Sequence, residues 1–293
     1  MRIFIVANLD KPQVRPALDD LHAWLEKRVQ VVGVDEQCCE DLSKIDAQAI
    51  LVLGGDGTLL SCARRLKGAQ IPMIGVNFGR LGFLASFTLN EFRDHFEALV
   101  AGTLPVSERA QIDASVLGGD CKISPHDIEG IAAHRHFHAT ALNDAVITAG
   151  PPFHMVELEL SADGGGSSVR YFGDGVIVAT ASGSTAYNVS AGGPIISPNI
   201  EALCITPICP HSLSFRPVVV SMQSVVTIVA TRVNSGTTLF CDGQASTQLK
   251  QGDRVIIRRH PKDVLLIENP NAREWRTLAE KLHWAVSPTF NKV

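Results

Sequence analysis

Leu51-Val52-Leu53-Gly54-Gly55-Asp56-Gly57-Thr58 decides how the chain is read. A short apolar run ends in three glycines and one carboxylate, and Leu59, Leu60, Ala63 and Leu66 follow at helical spacing. The pattern predicts a buried strand, a tight turn and a helix that begins near Thr58. Glycines let backbone N–H groups come close to a ligand, because no Cβ intervenes. The positive end of the helix dipole faces the same spot, so the turn suits phosphate. Asp56 is the exception, since a carboxylate repels phosphate. It points to a chemical task, such as holding a metal ion or taking a proton from a hydroxyl. The alternative for this stretch alone is an ordinary strand-to-helix turn capped by Asp56.

Working outward, Arg2 to Ala7 reads as a buried strand, and Val14, Leu18, Leu21 and Leu25 recur at helical spacing after Pro12. Gln30 to Val34 and Ile71 to Val76 are further strands; Thr88 and Glu91 form a capping-box pattern ahead of the stripe Phe92, Phe96 and Leu99, which Gly102 closes. Strands alternating with helices predict a parallel sheet covered on both faces. Its ligand belongs at the carboxyl ends of the strands, where Gly54 to Thr58 falls. Asn77-Phe78-Gly79-Arg80-Leu81-Gly82-Phe83 also follows a strand, and lines the same crevice or is a plain connecting loop.

After Pro105 helical periodicity fades, and strand-like runs follow at Gln111 to Leu117, Ala139 to Ile147, Met155 to Leu160, Val169 to Phe172 and Val176 to Thr180. More come at Val218 to Val220, Val225 to Val229, Thr238 to Cys241, Arg254 to Arg258 and Val264 to Glu268. Asp163-Gly164-Gly165-Gly166 reads as a hairpin turn. This half is expected to be a β-sandwich. Trp275, Leu278, Ala279 and Leu282 then restore a helix, expected to pack back on the first domain. The predicted division is an α/β domain over 1–106, joined by 269–293, and a β-sandwich over 107–268.

The 293 residues suffice for two domains, and a net charge of −4 argues against a broad nucleic-acid-binding face. No apolar run is long enough to span a membrane, and Met1 to Val6 reads as a strand, not a signal peptide. The seven cysteines are odd in number and form no Cys-x-x-Cys pair, which predicts reduced thiols in a cytoplasmic protein. His134, His136 and His138 would share one face of a strand; with no carboxylate or cysteine among them, exposed residues on an edge strand or loop are the better reading than zinc ligands.

A second constellation runs from Gly173 to Pro194, a strand between two turns rich in small residues and hydroxyls. Ser182, Ser184, Thr185 and Ser190 offer short donors and acceptors, and Tyr187 offers a ring to pack on a base. Such a segment could hold a nucleoside; as bare composition it could equally be a surface loop.

Taken in order, Gly54 to Thr58, Gly79 to Phe83, Leu142-Asn143-Asp144, Gly173 to Pro194 and Cys241-Asp242-Gly243-Gln244 closely resemble bacterial-type NAD kinases. The first piece is shared with lipid kinases and phosphofructokinases; the long fourth piece is highly specific. The resemblance implies transfer of a phosphoryl group from ATP to the adenosine 2′-hydroxyl of NAD, with a divalent metal ion, Mg²⁺. It places the general base at Asp56, with Gly54, Gly55, Gly57 and Thr58 on the ATP phosphates and Gly57 also beside the dinucleotide. Asn143 and Asp144 match a family Asn-Glu pair at the ribose. His154, Asp174, Thr185, Ala186, Tyr187, Asn188, Val189, Ser190 and Gln244 align with further NAD contacts, and Ser182 stands where the family often has Thr. The ligand is then expected between the two domains, in a dimer or tetramer whose neighbours contribute near the NAD site. Two departures stand out: Asp144 is one methylene shorter than the family Glu, and Phe172 replaces an Arg found in several relatives, with Arg170 two residues earlier. The rival readings are a lipid kinase sharing the first turn and a non-enzymatic dinucleotide sensor; the Gly173 to Pro194 segment argues against one and Asp56 against the other.

Overall fold

A computed structural model describes residues 1–79, 82–163, 167–272 and 274–282. Arg80 and Leu81, residues 164–166 of the expected hairpin turn, the side chain of Trp275 and everything after residue 282 lie outside the described residues. The chain groups into two compact units: Met1–Cys62, Ile71–Ser107 and the described residues from Leu265 on form one, and Ala63–Gln70 with Glu108–Val264 form the other.

The first unit begins with β1 (Arg2–Ala7), α1 (Val14–Glu26), β2 (Gln30–Asp35), β3 (Ala49–Gly54), α2 (Asp56–Leu66) and β4 (Met73–Asn77). The four strands pair in parallel in the order β2-β1-β3-β4. Every residue of β3 is buried, as expected of a strand covered on both faces, and this is why it reads as an unbroken apolar run. α1 turns Val14, Leu18, Leu21 and Leu25 onto the sheet, each worth about 1.5–3 kcal/mol as an upper estimate. The expected helix around Phe92 is two, α3 (Leu89–Asp94) and α4 (Phe96–Val100), joined at His95. The capping box is realised: Thr88 N donates to Glu91 Oε2 at 2.8 Å and Glu91 N to Thr88 Oγ1 at 3.3 Å. β5 (Val106–Arg109) follows.

The second unit carries β6 (Ile112–Leu117), α5 (Ile128–His134), β7 (Arg135–Ala141), β8 (Asp144–Thr148), β9 (Val156–Ala162), β10 (Val169–Gly173), β11 (Gly175–Thr180), α6 (Tyr187–Ser190), β12 (Ala202–Ile208) and β13 (Val218–Ser221). It continues with β14 (Val226–Arg232), β15 (Thr238–Cys241), β16 (Ala245–Gln248) and β17 (Arg254–Arg259). They form two six-stranded sheets, β10-β9-β14-β17-β6-β7 and β13-β12-β11-β8-β15-β16, antiparallel throughout. Ile112, Ala114, Val116 and Val255 of one sheet share a core with Ala145, Ile147, Val178 and Leu239 of the other. Val146, Ile177 and Ala179 point the opposite way and are buried too, so β11 is covered on both faces.

Three details depart from the sequence reading. The run Ala139 to Ile147 is not one strand: it breaks at Leu142-Asn143, where the chain leaves one sheet and enters the other. Val264 to Glu268, read with the β-rich half, supplies β18 (Val264–Ile267) to the first unit's sheet, with Leu266 beside Met73 in parallel register; α7 (Glu274–Leu282) follows. His134 ends α5, whereas His136 and His138 lie exposed on the edge strand β7; His138 Nε2 is 2.9 Å from Asp113 Oδ1, and His136 Nε2 is 3.9 Å from Asp253 Oδ2. Asp113 comes from the neighbouring strand β6 and Asp253 from the turn before β17, both remote in sequence from the histidines.

Candidate active site

The glycine turn sits at the carboxyl end of β3, and α2 starts at Asp56, two residues earlier than the spacing predicts. Thr58 N and Leu59 N both donate to Gly55 O, at 3.0 and 3.2 Å, which closes the first helical turn. Thr58 is buried and its hydroxyl accepts from Asn8 Nδ2 at 3.3 Å. Among the described residues, a Cβ placed on Gly57 would meet nothing within 4 Å.

Asp56 does not cap its helix. Its carboxylate reaches a loop 27 to 29 residues on and accepts from Phe83 N at 2.8 Å, Leu84 N at 3.2 Å and Ala85 N at 2.9 Å. A Cβ on Gly82 would overlap that carboxylate, which is the physical requirement for glycine there. Phe83 in turn lies under Lys281 of α7, whose Nζ is 4.3 Å from the ring centroid. Burial lowers the Lys281 pKa while the Asp56 charge opposes the shift.

In the second unit the break between β7 and β8 is built around another carboxylate, Asp242. It accepts from Leu142 N (2.8 Å), Asn143 N (2.8 Å) and Asp144 N (3.1 Å), and its own N–H donates to Asp144 O at 2.9 Å. Burial pushes the Asp242 pKa up; those three N–H bonds and the charge of Arg64 act against it. Arg64 also donates from Nη1 to Gln244 Oε1 at 3.0 Å. Asp144 is 5% exposed, and its carboxyl is pushed up to about 7, first by burial and then by the Asp242 charge. No hydrogen bond to its carboxyl group is found among the described residues.

The turn after β11 is fastened to the same place. Thr180 Oγ1 donates to Leu142 O at 2.6 Å and accepts from Gly183 N at 3.1 Å, and Thr180 N donates to Asn143 O at 2.8 Å. Gly183 passes so close that a Cβ would overlap Asn143 O. Ser182 and Thr185 are half-buried, and Tyr187 and Ser190 are exposed on α6 with Ala186 and Val189 between them in burial. Ser184 and Asn188 are fully buried and internally bonded: the Asn188 amide donates to Ser184 O and Pro194 O and accepts from Thr206 Oγ1. Asn188 therefore shapes the turn.

Asn143, Asp144, Gln244 and the Ser182 to Ser190 turn thus gather at one end of the β8–β11 pair. Asp174 and His154 do not join them. Both are exposed; Asp174 precedes β11, where its O accepts from Ala149 N at 2.7 Å, and His154 follows β8. Ala179 pairs with Asp144 and Gly175 with Thr148, so the two groups stand at opposite ends of the strands, about 15 Å apart. Phe172 and Arg170 share the outer face of β10, and Arg170 Nη1 is 3.6 Å from Glu157 Oε1.

Sequence reasoning missed Asp242 as the organiser of the Asn143 turn, although an Asp-Gly pair after a strand is a turn signal and Asp242 has a φ of 52°. It also missed Lys11, Asn8 and Arg64, which nothing local distinguishes from surface residues.

The parallel sheet with its glycine turn and the antiparallel sandwich correspond to the two domains of a known class of kinase. The family profile for the ATP-NAD kinase N-terminal domain matches residues 35–104, and that for the ATP-NAD kinase C-terminal domain matches residues 142–269. The chain is 35% identical to an NAD kinase of Rhodopirellula baltica over 97% of its own length and 87% of the relative's. It is 38% identical to one of Desulforamulus reducens, over 96% of each chain. Among solved structures, an NAD kinase from Archaeoglobus fulgidus in complex with ATP superposes with a TM-score of 0.71 at 25% identity, covering 97% of this chain and 99% of that one. A yeast NADH kinase complexed with NADH shares the fold at a TM-score of 0.86 and 23% identity, covering 100% and 90%. The chain belongs to the NAD kinase family.

Proposed function

We propose that the protein transfers the γ-phosphoryl group of ATP to the 2′-hydroxyl of the adenosine ribose of NAD, giving NADP, with Asp56 as the base. The observation that carries the assignment of the base is its cage. A carboxylate offers about four lone-pair positions, and three are taken by Phe83, Leu84 and Ala85. About one acceptor position is left, enough for one hydroxyl. A neutral ribose hydroxyl is a poor nucleophile, and a fixed acceptor orients it and takes its proton as the new P–O bond forms. The phosphates lie against the start of α2, where Gly54, Gly55, Gly57 and Thr58 let them approach.

Among the described residues no cluster of three or more His, Cys, Asp or Glu stands ready to ligate a metal. A Mg²⁺ ion would be held chiefly by the ATP phosphates, with Asp56 the nearest side-chain carboxylate of the glycine turn. Such an ion would supply neutralisation of phosphate charge.

NAD is assigned to Asn143, Asp144, Ser182, Thr185, Ala186, Tyr187, Val189, Ser190 and Gln244 at one end of β8–β11, with His154 and Asp174 acting from a second copy of the chain. Their separation supports this division, as do Phe153, Met155 and Phe172, exposed apolar side chains flanking that second end. The setting is cytoplasmic, which suits seven free thiols; no helix among the described residues is long and apolar enough to cross a membrane.

Incubation with ATP, Mg²⁺ and NAD should yield NADP; binding of NAD with no turnover refutes the kinase reading. Mixing Asp144→Ala chains with Asp174→Ala chains should restore activity that neither has alone. Absence of restoration in a mixed oligomer removes the shared-site reading.

A further inference from the structure

Between β1 and α1 the chain runs Asn8-Leu9-Asp10-Lys11-Pro12. Three bonds fold this segment over the glycine turn. Asn8 N donates to Leu53 O at 2.9 Å, Asn8 Nδ2 to Thr58 Oγ1 at 3.3 Å, and Asn8 Oδ1 accepts from Asp10 N at 3.1 Å. So tethered, the segment lays the half-buried Lys11 side chain across the turn. Its Nζ donates to Gly54 O at 3.1 Å and to Phe78 O at 3.4 Å, carbonyls at the ends of β3 and β4. It stands 2.8 Å from the place a Cβ would take on Gly55.

An ammonium has three N–H donors, and two are used here. Carbonyl oxygens orient the charge without neutralising it, and no ion pair with a carboxylate is formed by Lys11 among the described residues. The start of α2 adds positive potential at the same spot. A cation held against a glycine turn, with one donor unspent and no counter-ion, is arranged for an anion.

We propose that Lys11 grips the terminal phosphates of the phosphoryl donor, its third N–H reaching a β- or γ-phosphate oxygen while Gly54 O and Phe78 O hold the other two. The proposal rests on the kinase reading above. In that reaction the bond between the γ-phosphorus and the β–γ bridging oxygen breaks as the ribose oxygen bonds to phosphorus. The electron pair stays on the bridging oxygen, which leaves with ADP, and the hydroxyl proton goes to Asp56. The Lys11 side chain faces the charge that collects on the leaving oxygen. The competing role is a latch that ties the segment to two strand ends, which needs donors but no charge.

Two variants separate the roles. Lys11→Met removes charge and donors; Lys11→Gln keeps amide donors for the carbonyls and removes only the charge. The donor-binding role predicts that both lower kcat/KM for ATP by about 10²–10³-fold. NAD affinity measured without ATP, and the thermal midpoint of Lys11→Gln, should stay at wild-type values. Restoration of wild-type ATP kinetics by Lys11→Gln overturns the proposal, and so does a parallel loss of ATP and NAD binding in that variant. If the wild-type chain makes no NADP, the kinase reading falls separately, and ATP binding by calorimetry still decides on Lys11: retained in Lys11→Gln, the proposal fails; lost, it stands.

Discussion

The turn at Asp56 and the turn at Asp144 carry aspartates with opposite surroundings. Asp56 is bonded to three backbone N–H groups from a loop nearly thirty residues away. Asp144 is almost wholly buried with no such bond, and the three N–H groups of its own turn go to Asp242. A caged carboxylate is fixed in place with its charge compensated, which suits a group that must meet one hydroxyl in one geometry. An uncompensated one carries a desolvation penalty that a ligand donor can relieve. The contrast supports the proposal of chemistry at the first turn and ligand recognition at the second, with Asp242 as the scaffold that takes the turn's N–H groups and leaves the Asp144 carboxyl bare of protein donors.

The largest effect tests the first half of that contrast. Asp56→Asn should lower kcat by roughly 10²–10⁴-fold with NAD affinity little changed. Its amide nitrogen would also face at least one backbone N–H of the Phe83 to Ala85 loop, so some loss of stability accompanies it. Near-normal turnover in steady-state kinetics would leave Asp56 a loop anchor and erase the distinction between the two turns.

Next in size is the scaffold. Asp242→Ala should lower the free energy of unfolding by about 2–3 kcal/mol, because the N–H groups of Leu142, Asn143 and Asp144 lose an ionic acceptor. Asp144→Asn, which gives up no hydrogen bond, should be neutral or stabilising near neutral pH. Urea unfolding of the two variants checks this, and equal losses would contradict the assignment of scaffold and ligand group.

The pH dependence sharpens the same point. The Asp144 carboxyl sits at about 7 in the folded protein, above its ordinary value of about 4. The folded state therefore keeps a proton that the unfolded chain gives up, so this contribution to stability is complete below about pH 4 and is lost as pH rises through about 7. The stability difference between wild type and Asp144→Asn should trace that fall. NAD affinity should move the other way, rising through the same range in wild type and staying flat in the variant. In kinetics, Asp144→Ala should be worse than Asp144→Glu, if the shorter side chain works through a water; a Glu enzyme as crippled as the Ala enzyme would mean direct contact. The smallest effect belongs to Tyr187, 45% exposed on α6. Tyr187→Ala should weaken NAD binding by about 1–2 kcal/mol, read by titration on the folded variant.

Local pattern determined much of this protein. Unbroken apolar runs reported strands covered on both faces; the 3.6-residue stripe of α1 and the Thr88–Glu91 box reported helices; the glycines from Gly54 to Gly57 reported the turn between β3 and α2. These signals are legible because burial and capping act within a few residues. The motif resemblance named the family, and its residues Asn143, Asp144 and Gln244 do gather around one turn. Tertiary structure alone decided who meets whom. It split Ala139 to Ile147 between two sheets and sent Val264 to Ile267 to the first unit's sheet. It took Asp56 from its own helix to a distant loop, set Asp242 under Leu142 to Asp144, and laid Lys11 on the carbonyls of Gly54 and Phe78. An apolar run looks the same whichever strand pairs with it, and a carboxylate or ammonium looks like a surface charge until the fold supplies its partners. Partner choice is a long-range contact, set by closing loops and by the need to satisfy every buried polar group, and no local period encodes it.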